Sequence, residues 1–73
     1  MKLAFIGTGK IIADALFAIE PIKEIEKTAI FARPHSKEKA EAFAKQYNIA
    51  EVYTDYEKLL TETTADTVYI GLI

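Results

Sequence analysis

Met1-Lys2-Leu3-Ala4-Phe5-Ile6-Gly7-Thr8-Gly9-Lys10-Ile11-Ile12 is the stretch that decides the fold. The unbroken apolar run from Leu3 to Ile6 has the pattern of a central parallel strand, buried on both faces. It breaks into Gly7 and Gly9, and apolar residues at helical spacing follow at once. Strand, tight turn and helix therefore succeed one another without a linker. The start of such a helix carries amides with no intrahelical acceptor and the positive end of the helix dipole, a combination that suits a phosphate. Gly7 permits the reversal, and Gly9 lets the backbone approach a ligand with no side chain intervening. The expected ligand is the pyrophosphate of a dinucleotide. The third glycine of the G-x-G-x-x-G pattern would stand at position 12, which Ile12 occupies, implying a wider spacing between helix and strand.

From this turn the pattern runs on through alternating strands and helices. Ile11, Ala15 and Ile19 form one helical stripe with Ile12 and Leu16 beside it, and Pro21 ends the helix. A polar connector, 22–27, leads to a second strand over 28–32. Ser36 is the expected N-cap of a helix over Lys37–Tyr47, whose Ala40, Phe43, Ala44 and Tyr47 follow helical periodicity. Asn48 is suited to the left-handed conformation that stops it. A short strand over 50–53 precedes Thr54-Asp55-Tyr56-Glu57, which reads as a capping box with Thr54 at the N-cap. The helix it opens places Tyr56, Leu59, Leu60 and Thr63 on one face, and a last apolar strand covers 67–73. The order βαβαβαβ implies an α/β fold, a Rossmann-like parallel sheet with right-handed crossovers and strand order 3-2-1-4. The first two helices are expected on one face of the sheet and the third on the other. That second face is thinly covered, and the chain stops within an apolar strand. The expectation is an N-terminal part (1–73) of an NAD(P)-binding Rossmann domain, incomplete at its C-terminal side, unless a partner chain supplies the cover.

Composition narrows the function classes. Seventy-three residues with a 51% hydrophobic fraction and no cysteine describe at most one small ordered domain, without disulfides or thiolate metal sites. A formal charge of -2 gives no electrostatic reason to expect nucleic acid. No apolar segment approaches membrane-spanning length, and the run after Lys2 ends too soon for a signal peptide. The expected setting is the cytoplasm.

At the end of the second strand, an NAD site normally carries an acidic residue for the ribose hydroxyls. Ala32 and Arg33 stand there instead. A small residue followed by a guanidinium removes repulsion toward a 2′-phosphate and supplies a planar donor for it, with Lys37 one turn further on as a second charge. NADP is therefore the preferred cofactor and NAD the other, with a solvated role the plain reading of both cations. Glu26 lies at the wrong end of the sheet to replace the missing acid. His35, the only histidine, has no metal-ligand company and is expected at the rim of an adenine pocket or in solvent. The four tyrosines are assigned to packing. No catalytic set and no metal site can be assembled.

With these residues in hand, the chain resembles the N-terminal part of the Gfo/Idh/MocA oxidoreductases, the glucose–fructose oxidoreductase and inositol dehydrogenase group. The resemblance rests on Gly7-Thr8-Gly9-Lys10-Ile11, Ala32-Arg33, Lys39-Ala40-Glu41-Ala42-Phe43-Ala44, Tyr53-Thr54-Asp55-Tyr56-Glu57-Lys58-Leu59-Leu60 and Asp66-Thr67-Val68-Tyr69-Ile70-Gly71. Ile12 replaces a small residue of the family, and Leu72-Ile73 stands where a hydroxyl residue and proline are common. The resemblance implies an NAD(P)-dependent oxidoreductase acting on a sugar, polyol or similar small alcohol or carbonyl compound. It implies a second domain for substrate and homo-oligomer contacts, and a Glu-Lys-Pro motif beyond residue 73. Backbone at Thr8, Lys10 and Ile11 would meet the pyrophosphate, Arg33 and Lys37 the adenosine ribose, and Leu72 the length of the cofactor. The alternatives are a non-catalytic dinucleotide-sensing module and a pyrroline-5-carboxylate reductase-like enzyme, which opens with a similar turn.

Overall fold

β1 (Lys2–Ile6) lies between two parallel neighbours, and the other elements take their places from it. The computed structural model describes residues 1–71. Its order is β1, α1 (Lys10–Ile19), β2 (Glu26–Phe31), α2 (Lys37–Tyr47), β3 (Glu51–Tyr53), α3 (Tyr56–Glu62) and β4 (Thr67–Ile70). A short 3-10 turn, Pro34–Ser36, leads into α2. All strand pairs are parallel and the sheet order is β3-β2-β1-β4, as the βαβ pattern predicts.

Alternation along the central strands sorts the core into two layers. Leu3, Phe5 and Ile30 pack with Ile12 and Leu16 of α1 and Ala40 of α2 on one face. Ala4, Ile6 and Ala29 point the other way, against Leu59 of α3. Ala4 is paired with Ala29 and Val68, and Phe5 with Ile30 and Tyr69, so each layer runs straight across the sheet. Between Leu3 and Ala4 the register slips by one residue, leaving Thr28 as the extra residue of β2. Thr28 is buried, and its hydroxyl turns back to the Glu26 carbonyl at 3.4 Å.

α2 has the predicted bounds and the predicted buried side, and Asn48 stops it at φ 60°, ψ 45°. The other helices depart from the sequence pattern in detail. In α1 the buried line is Ile12 and Leu16, whereas Ile11 is 40% exposed, so the stripe is rotated from the Ile11-Ala15-Ile19 line. The helix begins from Gly9, and that phase directs Ile12 at β1. In α3 the cap is Asp55 rather than Thr54: Asp55 Oδ1 accepts the Glu57 amide at 2.9 Å. Glu57 is thus in the second helical position, too early for a capping box. Only Leu59 of that helix is buried, and Tyr56 and Leu60 are exposed. β2 begins at Glu26, not Thr28, yet Glu26 still pairs with Lys2 at the start of both strands. Val68 and Ile70 of β4 share the α3 face and stand 45% and 64% exposed, the thin cover expected on that side.

The loop after α3 is tied to β3. Glu51 accepts from the Tyr53 hydroxyl at 2.9 Å and from the Thr64 hydroxyl at 3.1 Å. Burial raises the Glu51 pKa, but the hydroxyls of Thr63, Tyr53 and Thr64 outweigh it and hold the carboxyl below its ordinary 4.5. Burial, followed by the hydrogen bond to Glu51 and that carboxylate's charge, pushes Tyr53 up to about 12. A depressed carboxyl stabilises the fold above its unfolded pKa and loses that contribution as the pH falls through its folded value. A raised phenol stabilises below its unfolded pKa and loses that contribution as the pH climbs through its folded one. The melting-temperature gap between the parent and Glu51→Gln is therefore expected near neutrality and should close as the pH drops below 4.5. The gap to Tyr53→Phe should close between pH 10 and about 12. Thermal melts across both windows check the two signs.

Candidate nucleotide-binding cleft

Because β2 and β4 flank β1, with α1 on one face of the sheet and α3 on the other, a crevice opens at the carboxyl ends of the strands. A cleft of about 320 Å³ lies there. Gly7, Thr8, Gly9, Lys10 and Ile11 border it from the β1–α1 turn, and Arg33 closes it from the end of β2. These six of the eight predicted site residues are thus brought together. Lys37 does not border the cleft: it is the first residue of α2, exposed, a turn beyond Arg33. Leu72 lies outside the described residues. His35 is exposed and borders neither this cleft nor the hollow beside it.

The two glycines of the turn answer to different causes. Gly7 has φ 120°, a conformation that L side chains rarely adopt, and its amide donates to Phe31 O at 2.9 Å. Gly9, the N-cap of α1, has φ -79°, an ordinary value for any residue. A Cβ added there would meet nothing within 4 Å. Nothing among the described residues requires a glycine at position 9; the freedom it leaves borders the cleft.

The start of α1 is left bare. No side chain caps it and no acidic residue occupies its first turn. Its first intrahelical bond is from Ala13 N to Gly9 O, 3.0 Å, so the amides before Ala13 have no helical acceptor. Lys10 and Arg33 add two cations at the rim, and the one ion pair among the described residues, Lys27–Glu20, involves neither of them. Donors, dipole and charge all favour an anion here. No group of three or more His, Asp or Glu residues that could hold a metal ion occurs among the described residues.

Sequence reasoning missed three contributors. Ser36 reads as a helix cap, but its side chain makes no cap hydrogen bond and it borders the cleft near Arg33. Gly71 forms the floor on the β4 side, and a lone glycine in an apolar strand is the signal that marks a close approach. Beside the cleft, an apolar hollow of about 290 Å³ shares Arg33 and is walled by Ile6, Phe31, Tyr56 and Ile70. The Phe31 and Tyr56 rings meet edge to face at 5.6 Å, so Tyr56 serves this hollow rather than the core.

The comparisons with known proteins agree with this architecture. The family described as "Oxidoreductase family, NAD-binding Rossmann fold" (Gfo/Idh/MocA) matches residues 1–73. Trans-1,2-dihydrobenzene-1,2-diol dehydrogenases of Xenopus tropicalis and Xenopus laevis are 29% identical over 72 residues, 99% of this chain and 22% of theirs. The chain thus spans about a fifth of the length of these relatives. Among solved structures, apo scyllo-inositol dehydrogenase from Lactobacillus casei superposes with a TM-score of 0.83 at 17% identity, over all of this chain and 21% of that one. The same enzyme with bound NAD(H) and scyllo-inositol gives 0.83 at 19% identity. At these identities the structural likeness speaks for the fold. No helix among the described residues is long and apolar enough to cross a membrane.

The contrast between the glycines is measurable in the absence of ligand. Gly7→Ala is expected to cost about 1–3 kcal/mol, the strain of a non-glycine residue at a sparsely populated φ. Gly9→Ala should cost no more than about 1 kcal/mol, the loss of a favourable N-cap residue. Denaturant unfolding of the two variants beside the parent checks the order.

Proposed function

This chain belongs to the Gfo/Idh/MocA oxidoreductase family, and from that premise we propose that residues 1–73 are the nucleotide-binding portion of an NAD(P)-dependent oxidoreductase. The observation that carries this reading is the side-chain-free space at Gly9, beside a helix start with unpaired amides and no acid in its first turn. A pyrophosphate fits that donor set. Amides of the first turn would hold its oxygens, with Lys10 and Arg33 compensating charge from the rim. The apolar hollow beside Arg33, with the rings of Phe31 and Tyr56, suits the flat base at the adenosine end. When bound, the nicotinamide supplies the hydride chemistry; this portion of the chain binds the cofactor and orients it.

The residues beyond Phe31 support NADP over NAD. Ala32 is buried and carries no charge, and Arg33 borders the cleft with no carboxylate partner among the described residues. A guanidinium in that place matches a 2′-phosphate, and no acid there repels one. Lys37 would act from outside the cleft as a longer-range charge, and Leu72 would lie along the cofactor. Substrate recognition, the proton-transferring lysine and homo-oligomer contacts belong, in this reading, to other parts of the full-length protein, in a cytoplasmic setting. A sugar, polyol or similar small alcohol or carbonyl substrate is proposed by analogy with relatives whose names specify a dihydrodiol and an inositol.

The test is made on the full-length protein. At a hundredfold excess over the dissociation constant, a dinucleotide should stabilise it by about 2.7 kcal/mol, visible as a rise in melting temperature. No shift with either NADP or NAD would end this reading. Arg33→Ala should weaken NADP binding by about 1.5–3 kcal/mol, the range for a hydrogen bond to a charged group, and leave NAD nearly unchanged. Calorimetric titration with each cofactor measures the ratio, and an unchanged ratio would remove the role given to Arg33.

A further inference from the structure

Gly71 is buried at the end of β4, where its amide donates to Ile6 O at 2.9 Å. Among the described residues the only glycine at positive φ is Gly7, so backbone conformation does not explain a glycine at position 71. Packing does. A Cβ on Gly71 would lie 2.5 Å from Ile12 Cδ1 and 2.7 Å from Ile12 Cγ1, with Ile11 Cγ2 next at 3.6 Å. The missing side chain therefore points at α1 and not into the cleft. Ile12 is 0% exposed and belongs to the closely packed layer that also holds Leu16 and Phe5, so it has little room to move away.

In the G-x-G-x-x-G pattern the third glycine sits on the helix and lets helix and strand approach. Here the helix carries the bulk and the strand carries the gap. We propose that Gly71 is a positioning residue for the phosphate-binding turn, its bare Cα seating Ile12 and so fixing the height of the α1 N-terminus above the sheet. Ile12 is in the first turn of α1, the same turn whose unpaired amides face the cleft. Lifting Ile12 tilts those donors away from any anion held there. This role rests on the dinucleotide reading of the cleft.

The experiment compares the full-length parent with Gly71→Ala, Ile12→Ala and the Ile12→Ala/Gly71→Ala double variant. NAD and NADP affinities are measured by calorimetry well below each variant's melting temperature, so that loss of stability alone leaves the binding constants in place. Gly71→Ala should weaken both cofactors by about tenfold or more, comparable to losing one hydrogen bond to a charged group. The NADP/NAD ratio should stay fixed, because the pyrophosphate is common to both. Removing the Ile12 atoms that collide should return the double variant to within about threefold of the parent, the non-additivity expected of residues in contact. A Gly71→Ala protein that binds like the parent overturns the role, as does a double variant as weak as Gly71→Ala. If Gly71→Ala alone does not fold, the double variant decides. Folding with near-parental affinity supports the role, and failure to fold or bind overturns it. A parent that binds neither cofactor overturns the reading of the cleft and the positioning role with it, whereas a parent that binds and a Gly71→Ala that is indifferent overturn the positioning role alone.

Discussion

Everything in this fold is set by β1 having a strand on each side and an apolar layer on each face. Four residues, Leu3 to Ile6, are all buried and face alternate sides of the sheet, and each of them anchors a different row. Because β2 lies on one side and β4 on the other, and α1 and α3 cover opposite faces, the sheet opens at the carboxyl end of β1. That opening is the cleft. A strand placed at the edge would leave no such crevice, whatever residues its turn carried. The glycine turn is therefore half of the site, and the strand order is the other half.

Electrostatics complete what topology opens. The helix start contributes donors that cost nothing to orient, because the fold already holds them in place. Lys10 from the start of α1 and Arg33 from beyond the end of β2 both border the opening and add positive charge to it. The family match and the superposition on scyllo-inositol dehydrogenase place this arrangement in an NAD-binding Rossmann fold.

Much of this was legible in the sequence wherever the signal is local. The α2 helix has four apolar residues at sharp periodicity, a proline before it and Asn48 after it, and its bounds follow from them. The α1 helix is apolar on too broad an arc, with Ile11, Ile12, Ala15, Leu16 and Ile19 all candidates, so spacing alone does not fix which edge faces the sheet. Thr54 and Asp55 are adjacent capping residues; the spacing to Glu57 points to Thr54, whereas the backbone gives the role to Asp55, the stronger cap. Gly71 and Ile12 meet through a packing contact across 59 positions of chain, which no local pattern records. Lys37 misses the cleft because the 3-10 turn at Pro34–Ser36 presents Ser36 in its place.

The helix α3 is held by one buried side chain, Leu59, by its Asp55 cap, and by the Glu51 link to the loop that follows. Such an element opens at far lower free energy than the strands beneath it, since opening exposes little apolar surface. Amide protons of α3 would then exchange in a separate, faster class from those of β1 and β2. Tyr56 is on this helix, so the aromatic wall of the hollow near Arg33 opens when α3 does, without opening the glycine turn held between β1 and α1.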